Sequence, residues 1–468
     1  MTIRRSSAIR RSSAIRRLVV GASVALTALT LAPPSAGAAV KDGDRCAPNE
    51  VGKTRNGLTC VKEGNKRKWK KAAPAPVVTA PAVTVAGSGA SASGGNSGSK
   101  DPVKLGVALG QTGATTANLA QDQTIGVKLA EKYINDNGGI NGRPLKLVIQ
   151  DTGSDEAGAI NAFNTLINSD KVVGIVGPTL SQQAFAADPI ADKAKVPVLA
   201  PSNTAANIPQ IGDYVARVSA GVATYAGNAV KYAASLQPTG KAVVFFAQDD
   251  AFSRSETGVF QTAAKNLGID VLTPQAFNAA DTDFTTQTAF VLKNRPDMVI
   301  ISGLAPSGNL VKQLRDLGYG GTIVGGNGLN VVQTFSVCKA QCDGLIVAQA
   351  YSPEIPATGI NADWRKIFKA EQKREPGQIA SQAFTAVQVF AEALKVTEKA
   401  GKLDGPLETA RVELNRNILA GKYSTPLGDI SFDSVGEILQ KNFYVAQIKM
   451  VRGDTGDVFS GKFTYVKF

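Results

Sequence analysis

Histidine is absent from all 468 residues, which removes imidazole acid–base chemistry, His-based nucleophilic triads and His metal sites together. Four cysteines remain, Cys46, Cys60, Cys338 and Cys342. Their local spacings do not match C-x2-C zinc knuckles, so no metal is expected. In an oxidising compartment the economical pairing of the three possible is Cys46 with Cys60 and Cys338 with Cys342; a free thiol at the second pair is the alternative, without a histidine to activate it. The string Val51-Gly52-Lys53-Thr54 resembles the end of a phosphate loop, but Ala47 stands where that motif needs glycine, and it reads as a hairpin turn. Asp249 and Asp250 read as helix-capping carboxylates rather than an acid–base pair. With no GxSxG elbow, no HExxH and no complete phosphate loop, neither catalysis nor a cofactor is expected.

The charge is uneven. Of 51 Lys+Arg and 38 Asp+Glu, 17 and 4 fall in residues 1–100, so the remainder is neutral and no nucleic-acid-binding core is implied. The first 17 residues repeat IRRSSA, and an apolar run over 18–31 follows, short of the ~20 residues that span a bilayer. With Ala36-Gly37-Ala38 as an A-x-A cut, residues 1–38 read as a signal peptide, a retained anchor being the alternative, and an extracytoplasmic, envelope-associated protein is expected. Residues 39–71 form a small basic module with one expected bridge. Its cluster Lys66, Arg67, Lys68, Lys70 and Lys71 around Trp69 suits an anionic envelope polymer or lipid surface as well as it suits a solvated tail. Residues 72–100, Pro/Ala-rich and then Gly/Ser-rich, read as a linker.

From residue 101 strand and helix periods alternate. VKLGVAL, LKLVI, VVGIV and PVLA read as doubly buried strands separated by helical runs, the first carrying Ile125, Leu129 and Tyr133 on one stripe. The rhythm resumes with AVVFFA, MVII and TIVGG, and is replaced after 350 by consecutive helices and closing strands. One such sheet would be too large, so two α/β lobes are implied: lobe 1 about 101–221 and 351–422, lobe 2 about 222–350 and 423–468. Several crossings between them make a hinge, and the hinge a ligand cleft.

The run from Gly110 to Pro144 with TIGVKLAEKYINDNGGINGRPLKL, then VVGIVGPTLSQQAFAADPIADKAKVPVLAPSNTAA, FFAQDDAFSRS and PDMVIISG, resembles the extracytoplasmic leucine/isoleucine/valine-type binding proteins of ABC importers. The resemblance spans nearly all of 101–468 and implies the type I periplasmic-binding fold, two doubly wound parallel-sheet lobes joined by a multi-crossing hinge. It implies a monomeric, non-enzymatic receptor that closes around a small molecule (branched-chain amino acid-like, an amide or a small carboxylate) and delivers it to an ABC permease. A wall-associated sensor or adhesion ectodomain on the same fold is the alternative.

The resemblance also implies a site. Ser181, followed by Gln182, matches the helix start that meets a ligand carboxylate, where unpaired backbone N–H groups and a hydroxyl make an anion site without a cation. Ser202, Asn203 and Thr204 match the second cluster, Thr204 donating and Asn203 offering its backbone carbonyl to an ammonium or amide. Phe252 matches an aromatic wall. The departure is Asn327, where amino-acid-binding members carry a carboxylate for the ligand ammonium; other aromatic wall positions are replaced by Leu119 and by Leu304 or Ala305.

Overall fold

The computed structural model describes residues 54–55, 58–63, 66–71, 101–113, 115–356, 359–452 and 459–466. The expected signal peptide, the linker, and Cys46 with its expected bridge lie outside the described residues. The chain divides into two compact units at Gly94. In the first, Thr54–Arg55, Leu58–Glu63 and Lys66–Lys71 form a three-stranded antiparallel sheet.

The second unit holds two main sheets. The sheet of lobe 1 is parallel, in the order Leu145–Asp151, Val103–Leu109, Ile175–Val176, Val198–Ala200, Val215–Arg217. The sheet of lobe 2 runs Asp270–Val271, Lys241–Ala247, Met298–Ser302, Thr322–Gly325, Ile346–Gln349, parallel throughout, and then adds Tyr444–Arg452 and Phe459–Val466 antiparallel. Gln275–Phe277 also pairs with Lys241–Ala247. Near-continuous apolar runs such as Met298–Ser302, all five residues buried, form these strands because helices cover both faces. The chain passes between the two sheets three times: after Val215–Arg217, after Ile346–Gln349 and before Tyr444–Arg452. These are the two parallel-sheet lobes and multi-crossing hinge expected.

Helix Gln378–Lys399 is the spine of lobe 1 and is buried along most of its length against helix Ala117–Asp136. A Cβ at Gly126 would stand 2.4 Å from the Ala380 carbonyl, so the two helices approach only because that residue is glycine. Of the expected stripe Leu129 is buried and Ile125 and Tyr133 are half-buried, and Gly126, Val127, Ala130 and Ile134 are buried with Leu129. Trp364 fills the end of this core 4.6 Å from Phe384 between ring centroids, its Nε1 donating to Ser381 Oγ at 3.0 Å.

The lobe boundary expected near 422 needs correcting. Lys422–Thr425, Gly428–Phe432 and Ile438–Leu439 form a separate antiparallel sheet that packs on the helices of lobe 1, with Gln388 Nε2 donating to the Ser424 carbonyl at 2.8 Å and Tyr423 Oη to Ile418. Only the last two strands join lobe 2. The reason is burial: Tyr423, Ile430 and Phe432 are buried where their strands meet helices Gln378–Lys399 and Leu407–Ala420. Cys338 and Cys342 are disulfide-bonded, with Cα atoms 5.2 Å apart, so the alternative of a free thiol there falls. No described helix is long and apolar enough to cross a membrane.

Candidate functional site

In open parallel sheets, residues that meet ligands lie beyond the carboxyl ends of the strands. Five turns here leave such ends toward one another. From lobe 1, Ser181 follows Ile175–Val176, and Thr204 follows Val198–Ala200; from lobe 2, Phe252 follows Lys241–Ala247, Leu304 follows Met298–Ser302, and Asn327 follows Thr322–Gly325. These five residues and Leu119 line one cavity between the lobes, whose free space is tight: about 20 Å3 admits the centre of a water-sized sphere. Gln182 and Asn203 are not in the lining.

The lobe 1 wall is made of backbone and hydroxyls. Helix Ser181–Lys193 has Leu180 at its N-cap and no side-chain cap, so the orphan amides of its first turn remain available. Ser181 does not cap it: the hydroxyl oxygen accepts from Ala205 N at 3.3 Å, which leaves its O–H free to donate. Thr204 Oγ1 is buried without a partner. An unpartnered hydroxyl in a cavity wall, beside an uncapped helix start, is what an anionic guest would satisfy.

Asn203 is used otherwise than expected. Its carbonyl accepts from Arg217 Nη1 at 3.1 Å and Ser219 Oγ at 3.0 Å, and its Nδ2 donates to the carbonyls of Pro178 and Thr179 at 3.0 and 3.1 Å. That carbonyl therefore shapes the turn and does not meet a guest. Arg217, buried, is the organiser: it also donates to the Ala205 carbonyl at 2.7 Å and pairs with Glu437 through Nε at 3.0 and 2.9 Å. One guanidinium thus fixes the 203–205 turn to the hinge.

The lobe 2 wall is apolar apart from Asn327. Asp250 caps helix Ala251–Asn266 through Phe252 N at 3.1 Å, which sets Phe252 in the wall, while Asp249 accepts from Ala279 N at 2.8 Å instead of capping. Behind Asn327 lies Glu256, fully buried, accepting from Asn327 N at 2.8 Å and Ser302 Oγ at 2.7 Å. A Cβ at Gly326 would stand 1.9 Å from Glu256 Oε2, so glycine is required for this carboxylate to reach the turn. Burial pushes Glu256 up to about 7, opposed by the hydrogen bonds from Asn327 and Ser302 and reinforced by Asp250.

Sequence reasoning missed Thr179, Leu180, Gly328 and Ile379 in the lining, while Ser202, read as part of the second cluster, is in it. Thr179 and Leu180 lie just before Ser181; the hydroxyls of Thr179 and Ser202 are occupied by Gln123, at 2.9 and 2.7 Å. Ile379 is the start of a helix more than fifty residues further along, which no local pattern points to. None of the eleven lining residues is ionisable.

A family profile described as periplasmic binding protein matches residues 102–457. The chain is similar to the leucine-, isoleucine-, valine-, threonine- and alanine-binding protein of Pseudomonas aeruginosa, 25% identical over 346 residues, covering 73% of this chain and 88% of that one. It is 23% identical over 342 residues to the Leu/Ile/Val-binding protein of Escherichia coli, covering 72% and 88%. Among solved structures, a branched-chain amino acid transporter substrate-binding protein of Streptococcus pneumoniae in complex with isoleucine superposes with a TM-score of 0.67 at 22% identity, over 77% of this chain and 99% of that one. A solute-binding protein of Rhodopseudomonas palustris in complex with 3,4-dihydroxybenzoic acid does so at 0.65 and 22%, over 77% and 95%. With the two lobes, the hinge and the interlobe cavity, these matches establish that the chain belongs to the periplasmic binding protein family.

Proposed function

We propose that this protein is an extracytoplasmic solute receptor of an ABC importer, which closes its lobes around a small carboxylate-bearing, partly apolar solute and delivers it to a membrane permease. The observation that carries this reading is the pairing, in one interlobe cavity, of an uncapped helix start with the unpartnered Thr204 hydroxyl. A carboxylate there accepts from backbone amides, Ser181 and Thr204 without any cation, while Leu119, Phe252, Leu304 and Ile379 meet its apolar part. The relatives that bind branched-chain amino acids and the structural neighbour holding an aromatic acid support a solute of this kind.

The test is a melting screen with amino acids, short amides, and aliphatic and aromatic acids. A ligand that binds only the folded cleft raises Tm by mass action, about 2.7 kcal/mol of stabilisation at a hundredfold excess over Kd. Ser181→Ala and Thr204→Ala are each expected to weaken a carboxylate hit about tenfold, the value of one hydrogen bond to a charged group. No hit with any carboxylate, or hits indifferent to both substitutions, would remove the reading.

A further inference from the structure

Building on that reading of the cavity, we propose that it selects a carboxylic acid whose second polar group is an uncharged oxygen acceptor, such as a 2-oxo acid, over the amino acid of the same carbon skeleton. The orientation of the Asn327 amide decides this. The Ala350 N–H can only donate, so the Gln378 atom 2.6 Å from it is oxygen. That oxygen also accepts from Asn330 Nδ2 at 3.0 Å, and Asn330 Oδ1 in turn accepts from Gln349 Nε2. With its oxygen fixed on that side, Gln378 presents Nε2 to Asn327 at 2.9 Å, and Asn327 answers with Oδ1. All four amides are buried. The Asn327 Nδ2 group makes no hydrogen bond with a described residue and is what this side chain offers to the cavity.

Lobe 2 therefore ends in a donor, and so does lobe 1. The lobe 1 carbonyls an ammonium would seek are largely engaged: those of Thr179 and Asn203 each already accept two hydrogen bonds, from Ser202 and Asn203 and from Arg217 and Ser219, that of Thr204 accepts one from Val222 N at 3.0 Å, and the unpartnered Asn203 Oδ1 belongs to a residue outside the lining. Glu256 stands behind the wall with both oxygens taken by Asn327 N and Ser302. An ammonium would face N–H groups and lose water without a charged partner, whereas a carbonyl oxygen in the same place accepts from Asn327 Nδ2. The apolar contacts are the same for both ligands, so the discrimination falls on this one group.

Calorimetric titration of the full-length protein with L-leucine, 4-methyl-2-oxopentanoate and 4-methylpentanoate tests this. The oxo acid is expected to bind tightest, about tenfold or more over leucine, with the unsubstituted acid between them. Asn327→Asp should reverse the order of leucine and the oxo acid. Gln378→Glu, outside the lining, should act in the same direction: a carboxylate only accepts, so Asn327 turns over and shows Oδ1 to the cavity. Leucine binding as tightly as the oxo acid to the unmodified protein would overturn this inference and leave the receptor reading standing. Failure of all three acids, and of every carboxylate in the melting screen, would overturn both.

Discussion

The two walls of the cleft hold their polar groups in different ways. On lobe 1 the donors are backbone amides at the start of Ser181–Lys193 and two short hydroxyls, whose positions follow from where a helix begins and a strand ends. On lobe 2 the single polar group in the lining, Asn327, owes its direction to Gln378, Asn330, Gln349 and the Ala350 N–H, and its place to Glu256 beneath it. An anion site made of backbone admits any carboxylate that reaches it. A donor oriented through three other amides can be inverted by a distant substitution. On the proposed reading, lobe 1 sets the class of solute, and lobe 2 sets the choice within it.

Each wall has a buried charge that can be removed to test this division. The larger effect is expected from Arg217→Ala. It removes the Ala205 carbonyl's donor and one of the two to the Asn203 carbonyl, and leaves Glu437 without its ion-pair partner, a loss of about 3–5 kcal/mol in unfolding stability. Chemical denaturation measures it; a change under about 1 kcal/mol would show that the 203–205 turn holds without the guanidinium.

Glu256→Gln should act more gently and through pH. The folded protein holds the Glu256 proton up to about 7, against an ordinary value of 4.5, so between those values the folded state binds more protons than the unfolded one. Stability then falls as pH rises from about 4.5 to 7 and levels off above. Asp250, which burial also pushes up to about 7, contributes in the same direction. Melting curves from pH 4 to 8 should show a shallower decline in the variant, leaving the share of Asp250. Parallel curves would mean that Glu256 carries no excess proton.

The same contrast explains what could be read from the chain. Doubly buried strands such as Met298–Ser302 are continuous apolar runs, and the helix starts after them carry Ser, Thr or Asp, so both sheets and the lobe 1 wall were legible locally. The short strand Val215–Arg217 was not, and of the small sheet over 422–439 only the strand at 430–432 was, with its lobe misassigned, because their burial is supplied by helices distant in sequence. Asn203 was expected to offer a free carbonyl because nothing nearby announces that Arg217, fourteen residues on, will occupy it. Asn327 was recognised as a departure from a carboxylate, but whether it donates or accepts depends on Gln378, fifty-one residues on.

A crystal structure of the full-length protein with 4-methyl-2-oxopentanoate tests the central claim most directly. The account predicts the carboxylate within hydrogen-bond reach, about 3 Å, of the Ser181 helix start and Thr204 Oγ1, and the oxo oxygen against Asn327 Nδ2. An acid bound elsewhere, such as the groove beside Gly221 and Ser255, or one whose carboxylate turns away from Ser181, would contradict it.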